Sequence, residues 1–311
     1  MTSPPFVRLE TMTYTAPLGV GFWDAASHRL VSDGLAVTVH SLVDGSVVRS
    51  RVARAGRSGI FAAQGFDELR TFEAGSGDDA FWASPPATRE YLVEVQDGLG
   101  QFTSFVMHVD IPARGLVMPA CVSDLWPMDP ASPPTSPIAS PLIEKPLVYV
   151  PLFNAPARVI PARLAVVRAT LLDAATGDAA VWAVLELRYE GMLVGRGIAD
   201  EEGQVVVAFP FPEPTTPIAS SPSGASPTAQ PLTNQSWPID VDVRYAAHLP
   251  TYAVGTTKQP VALADLCEIL HQPLTTARTS LSPLSHPITG DTLRFGEALT
   301  VANAPLFIDP A

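Results

Sequence analysis

The chain has 311 residues, of which 47% are apolar and 16% charged, with 32 prolines, two cysteines and a formal charge of −12. That length and apolar share supply cores for two ordinary domains, while sparse charge and about twice the usual proline point to a lightly charged surface and stiff connections. The negative charge, with no basic stripe carrying interleaved aromatics, speaks against nucleic acid and anionic lipid as partners, and no apolar run reaches the eighteen or so residues that a membrane-spanning helix needs.

Residues 1–14 read as an N-terminal extension, MTSPPFVRLETMTY, without the basic start and apolar core of a secretion signal. Synthesis in the cytoplasm is therefore expected. Residues 15–119 read as a first β-sandwich repeat. FWDAAS (Phe22 to Ser27) places an aspartate after two large apolar residues, where its carboxylate can accept backbone N–H bonds and close a turn. LAVTVH (Leu35 to His40) is too short and too β-branched for a helix and reads as a strand. VVRSRVARAGRSGIFAAQGF then carries a polar tip, Gly56-Arg57-Ser58-Gly59, between apolar arms, which is the pattern of a hairpin. In EYLVEVQ (Glu90 to Gln96), Tyr91, Val93 and Val95 fall on one face and Glu94 on the other, so one face is buried and one wet. A turn at Asp97-Gly98-Leu99-Gly100 leads into another strand-like stretch, Phe102 to Ile111.

Residues 120–149 are rich in proline, serine and alanine and read as a linker. Residues 150–250 repeat the first pattern. LLDAAT (Leu171 to Thr176) matches FWDAAS with Asp173 on Asp24, and the same shift sets IDVDVRY (Ile239 to Tyr245) on the strand that starts at Glu90. Between them come the strand VWAVLEL (Val181 to Leu187), a hairpin tipped by Asp200-Glu201-Glu202-Gly203, and a long Pro/Ser loop at 210–236. From residue 251 the repeat gives way to a predicted amphipathic helix, Val261 to His271, and an extended C-terminal arm. Leu293, Phe295, Leu306, Phe307 and Ile308 give this arm apolar groups in a setting too proline-rich for a core of its own. They are expected to form a protein interface with a partner.

An aspartate-led turn, a strand, a hairpin tipped by D/N-x-x-G and a closing Y-x-V-x-V strand resemble the transthyretin-like or carboxypeptidase-regulatory type of sandwich. The implied fold is all-β: two tandem Ig-like/transthyretin-like antiparallel β-sandwiches with a Pro-rich linker and a C-terminal arm. The succession REYLVEVQDGLGQFTSFVMHVDIPARGL, VPLFNAPARVIPARLAVVRATLLDAATGDAAVWAVLEL and QSWPIDVDVRYA is similar to accessory proteins of phage-tail-like contractile injection systems. This resemblance implies a non-enzymatic structural or adaptor subunit, multimeric, with other subunits of the particle as its partners, and release outside the cell within that particle. The alternative is a carbohydrate- or surface-binding sandwich that uses exposed tryptophans in its long loops.

No catalytic, cofactor or metal residues are assigned, and no cofactor is expected. Cys267, Glu268 and His271 offer only two good ligands with no second pair nearby, short of a metal site. Cys121 and Cys267, far apart and without a CxxC, fix neither a disulfide framework nor a compartment. Gly56-Arg57-Ser58-Gly59 lacks the spacing of a nucleophile elbow, and no phosphate-binding glycine loop is present. His28, His40, His108, His248 and His286 are scattered singly.

Overall fold

The computed structural model describes residues 15–27, 29–43, 46–84, 87–119, 121–122, 149–214, 231–256, 259–280 and 291–310. The expected N-terminal extension, most of the linker and the centre of the 210–236 loop lie outside the described residues. Strands make up 51% of the structure and helix 10%, in largely antiparallel sheets that give an all-β, sandwich-like fold.

The first unit contains β1 (Leu18–Asp24), β2 (Arg29–Val31), β3 (Leu35–Val43), β4 (Ser46–Ala55), β5 (Ile60–Ala63), β6 (Arg89–Asp97), β7 (Phe105–Ile111) and β8 (Val150–Leu152). Among the described residues these form one eight-stranded sheet in the order β2-β1-β5-β4-β3-β6-β7, with β8 beside β1. The sheet curls because β4 serves two neighbours. It follows β3 along most of its length and reaches β5 only at Arg54 and Ala55. The two halves therefore close on a core holding Phe22, Phe61, Val39, Val93, Phe105 and Met107, which are the inward positions of the alternating strands.

The second unit is a true pair of sheets. It comprises β9 (Leu164–Asp173), β10 (Val184–Tyr189), β11 (Met192–Ile198), β12 (Gln204–Pro210), β13 (Ser236–Arg244), β14 (Thr251–Thr256), β15 (Gln259–Ala264), β16 (Leu274–Thr275), β17 (Ala277–Arg278), β18 (Asp291–Arg294), β19 (Ala298–Thr300) and β20 (Leu306–Ile308). One sheet runs β11-β10-β13-β16 with β18 on β13, and the other β12-β9-β20-β17 with β19 on β9. Leu171, Leu185, Phe209 and Trp237 lie between them.

The pairing repeats strand for strand. β1 with β5 corresponds to β9 with β12, and β3 with β4 and β6 corresponds to β10 with β11 and β13. The correspondence extends to the closing strands. Val150–Leu152 lies parallel to Phe22–Asp24, and Leu306–Ile308 lies parallel to Leu171–Asp173, in the same register against the two matched aspartates. Each unit is thus finished by a three-residue apolar strand that arrives late in the chain.

This corrects the expected boundaries. Val150 to Leu152, read as the start of the second repeat, completes the first, and residues 274–308, read as an arm, supply five strands of the second. Three-residue strands give no usable alternation, and parallel pairing joins segments too distant to be matched from local pattern.

The predicted helix Val261 to His271 is also half strand. Residues 261–264 belong to β15, paired with β14, and the helix is only Leu266–Leu270, started by Asp265, whose carboxylate accepts from the Cys267 and Glu268 N–H groups at 2.8 and 3.1 Å. The β14–β15 hairpin and this helix form an insertion of the second unit that packs back on the first. Val254 and Leu263 cover Leu92 and Val106 on the outer face of the first sheet. Leu266, Ile269 and Leu270 join the first core, together with Val184 and Ile198 of the second unit. Cys267 is bonded to Cys121, 146 positions earlier, so the pairing that the sequence left open is a covalent tie between the units.

Candidate functional site

Among the described residues, four of the eight exposed large apolar groups fall on one element. The β3–β4 hairpin carries Val43, Val48 and Val52 at 56%, 57% and 69% exposure, with Val47 beside them. Its sequence explains this two-sidedness. Val37, Val39 and Ala53 alternate inward and are buried, while Thr38, His40 and Leu42 alternate outward, opposite Val52, Ser50 and Val47 on β4. A bulge between Ser41 and Leu42 shifts the register near the tip. The β14–β15 hairpin covers the outer face over β6 and β7 and reaches Leu42 on β3, while Val47, Val48 and Val52 of β4 stay exposed, and among the described residues one edge of β4 has no strand partner before Arg54.

Two polar groupings flank this strand. On one side Arg49 and Arg70 bind Asp67, and the Arg70 hydrogen bond, with the nearby arginine charges, holds that exposed carboxyl below its usual range. The cleft there, about 390 Å³, is lined by Ser41, Val43, Val48, Arg49, Asp67 and Glu68. On the outer face Ser50 Oγ stands 2.8 Å from His40 Nδ1, His40 Nε2 stands 2.7 Å from Glu94 Oε2, and the Gln96 amide donates to Glu94 Oε1 at 2.6 Å. His40 and Glu94 are buried and Ser50 is exposed. In the sequence His40 is one of several scattered histidines, and this row is not apparent there. The available signal was the strand alternation, which sets His40 and Glu94 on the same outward face.

A third grouping lies at the base of the second unit's insertion. Glu186, fully buried, receives Arg196 at 2.8 Å and Arg244 at 3.0 Å, and Arg188 bridges it to Asp242. Burial opposes ionisation of Glu186, but the two close arginines outweigh it and hold its carboxyl below the usual range. Arg244 also donates to the Gln272 carbonyl, so the network braces the end of the inserted helix.

The five arm residues do not form a free interface. Leu293, Leu306 and Ile308 are fully buried in the second core, Phe295 packs on Phe211 with ring centres 4.7 Å apart, and Phe307 pairs across to Arg278 and Leu172. The apolar surface that was expected to need a partner is satisfied by the chain's own sandwich. Cys267 is engaged in the disulfide, which removes it as a ligand alongside His271, and no cluster of three or more metal-ligating side chains occurs among the described residues. Trp237 is buried and Trp23, Trp82 and Trp182 are half-buried, so none of these tryptophans is fully exposed. No helix among the described residues is long and apolar enough to cross a membrane. Comparison with protein-family models, with curated proteins and with solved structures gives no match.

Proposed function

We propose that the chain is a non-enzymatic structural or adaptor subunit of a multi-protein particle, with a phage-tail-like contractile injection system as the setting suggested by its sequence resemblance. The observation that carries this reading is the set of exposed valines, Val43, Val47, Val48 and Val52, on the two faces of the β3–β4 hairpin. Exposed apolar groups gathered on one strand with an open edge favour pairing with another chain. The insertion and the Cys121–Cys267 bridge hold the two units together, as suits a part that must keep its shape while neighbours bind. The bridge also supports an oxidising working environment, which a particle released from the cell would meet.

The test is to replace Val48 and Val52 together by serine. Both side chains face solvent, so the melting temperature should stay within about 2 °C of the parent, given that surface changes typically cost no more than ~0.5 kcal/mol. Incorporation into the particle, read by immunoblot of purified particles, should fall strongly. Normal incorporation of the folded double variant would remove the hairpin from assembly.

A further inference from the structure

We propose that Ser50 is an acyl-acceptor site, whose hydroxyl takes an apolar acyl group from an activated ester with His40 as the base and Glu94 as the positioning residue. This goes beyond the assembly role and does not depend on it. Ser50, His40 and Glu94 lie on three adjacent strands, β4, β3 and β6, with Ser50 directly opposite His40 in the register. Glu94 accepts from His40 Nε2 at 2.7 Å, which fixes that nitrogen as the one bearing hydrogen in the neutral ring. Nδ1 is then an acceptor, and the Ser50 hydroxyl, 2.8 Å away, donates to it. The serine proton is aimed at a base that only 2% of its surface exposes, while the serine itself is open to solvent. Nucleophile, base and orienting acid within hydrogen-bond reach make up the arrangement that activates a serine.

The surroundings indicate the class of donor. Leu42 and Val47 lie two pairs along the hairpin from His40 and Ser50, the next pair on that face, and Val52 lies two positions along on the other side, so the exposed serine sits in an apolar row. An ester with an apolar acyl chain could lie along it. In the reaction, Ser50 Oγ bonds to the acyl carbon and the bond from that carbon to the alcohol oxygen breaks. The proton passes from Oγ to His40 Nδ1 and on to the departing alkoxide, leaving an ester on Ser50 and a free alcohol. Nothing is oxidised or reduced.

The experiment incubates the full chain with p-nitrophenyl butyrate, following nitrophenolate release and locating the adduct by intact mass and peptide mapping. One butyryl group should appear on Ser50, and Ser50→Ala should abolish it. His40→Gln, which can hydrogen-bond but cannot take the proton, should slow acylation about a hundredfold, a typical share for a general base. Glu94→Gln retains an acceptor for Nε2–H and should keep much of the rate, whereas Glu94→Leu should lose it. Should the buried variants fail to fold, the parent chain still decides: acylation should select Ser50 in native buffer and lose that selectivity in urea. No adduct at Ser50, labelling spread over many serines in the native protein, or a His40→Gln variant reacting at the parent rate would each overturn the proposal.

Discussion

Asp24 and Asp173 end matched strands and close matched turns, yet their remaining oxygens find different partners. Asp24 accepts from the Ala26 N–H at 2.9 Å and the Ser27 hydroxyl at 2.5 Å, and Arg158 reaches it at 2.6 and 3.0 Å. Asp173 accepts from the Ala175 and Thr176 N–H groups at 2.7 and 3.2 Å and from the Tyr245 hydroxyl at 2.9 Å. Burial works against ionisation at both, but Arg158 at the first and the Ala175 N–H and Tyr245 hydroxyl at the second hold both carboxyls below their usual range. The Asp24–Arg158 pair is 5% and 10% exposed, so Arg158→Met would strand a buried carboxylate. A loss of about 3–5 kcal/mol is expected in denaturant titration, and a loss below ~1 kcal/mol would show that water reaches the site. The same carboxylates set the acid response. Asp24, Asp173 and Glu186 have lowered folded-state pKa values, so their contribution is present above the unfolded values and is lost as pH falls through the folded ones. Their share of the stability should begin to fall as pH drops past the ordinary values of 4.5 for Glu and 3.8 for Asp, and continue falling below. Urea midpoints measured from pH 7 to pH 3 check this, and substituting all three by amides should flatten the acid limb.

The long strands were legible and the short ones were not, for a physical reason that β20 makes plain. The inward Tyr91, Val93 and Val95 of β6 and Trp237, Ile239 and Val243 of β13 are buried as period two predicts. The outward Leu92 and Glu94 are buried too, so the face of β6 expected to be wet is covered, Leu92 by the β14–β15 hairpin. LFI at 306–308 is three apolar residues beside prolines. Its burial follows only from the parallel partner Leu171–Asp173, and no local pattern names that partner. For the same reason the apolar arm residues look like a surface in the sequence. The β14–β15 hairpin hid differently, because residues 261–264 read equally well as the first turn of a helix until β14 supplies their hydrogen bonds. At the site, the outward setting of Glu94 was readable, but the register that puts Ser50 opposite His40 was not. Truncation after His271 measures how much the late strands matter. It removes β16 to β20 and with them Leu293, Val301, Leu306 and Ile308, all fully buried. At roughly 1.5–3 kcal/mol for each buried aliphatic side chain, the loss exceeds what a domain can spare. The truncated chain should lose its cooperative transition in calorimetry, and an intact transition would mean that these strands are accessory.

The two units share structure at three levels: a common apolar cluster that includes Val184 and Ile198, the returned insertion over Leu92 and Val106, and the Cys121–Cys267 bond. A single calorimetric transition is expected for the oxidised protein, since neither unit keeps its cover when the other opens. Cutting the bond by reductant should leave the far-ultraviolet spectrum unchanged and lower stability by up to ~5 kcal/mol, the chain-entropy value for a loop of this length. A Cys121→Ser/Cys267→Ser variant should show the lower stability with or without reductant. The late position of β8 and β20 also bears on how the protein is made. On the ribosome β1 emerges long before Val150–Leu152, and β9 long before Leu306–Ile308, so each opening strand waits with one edge bare. The outer face of the first sheet waits longer still, because Leu263 follows Leu92 by most of the second unit. A nascent chain of this design exposes sticky edges throughout translation, which makes it a natural client for holding chaperones and for pauses that let one unit settle before the next is extruded.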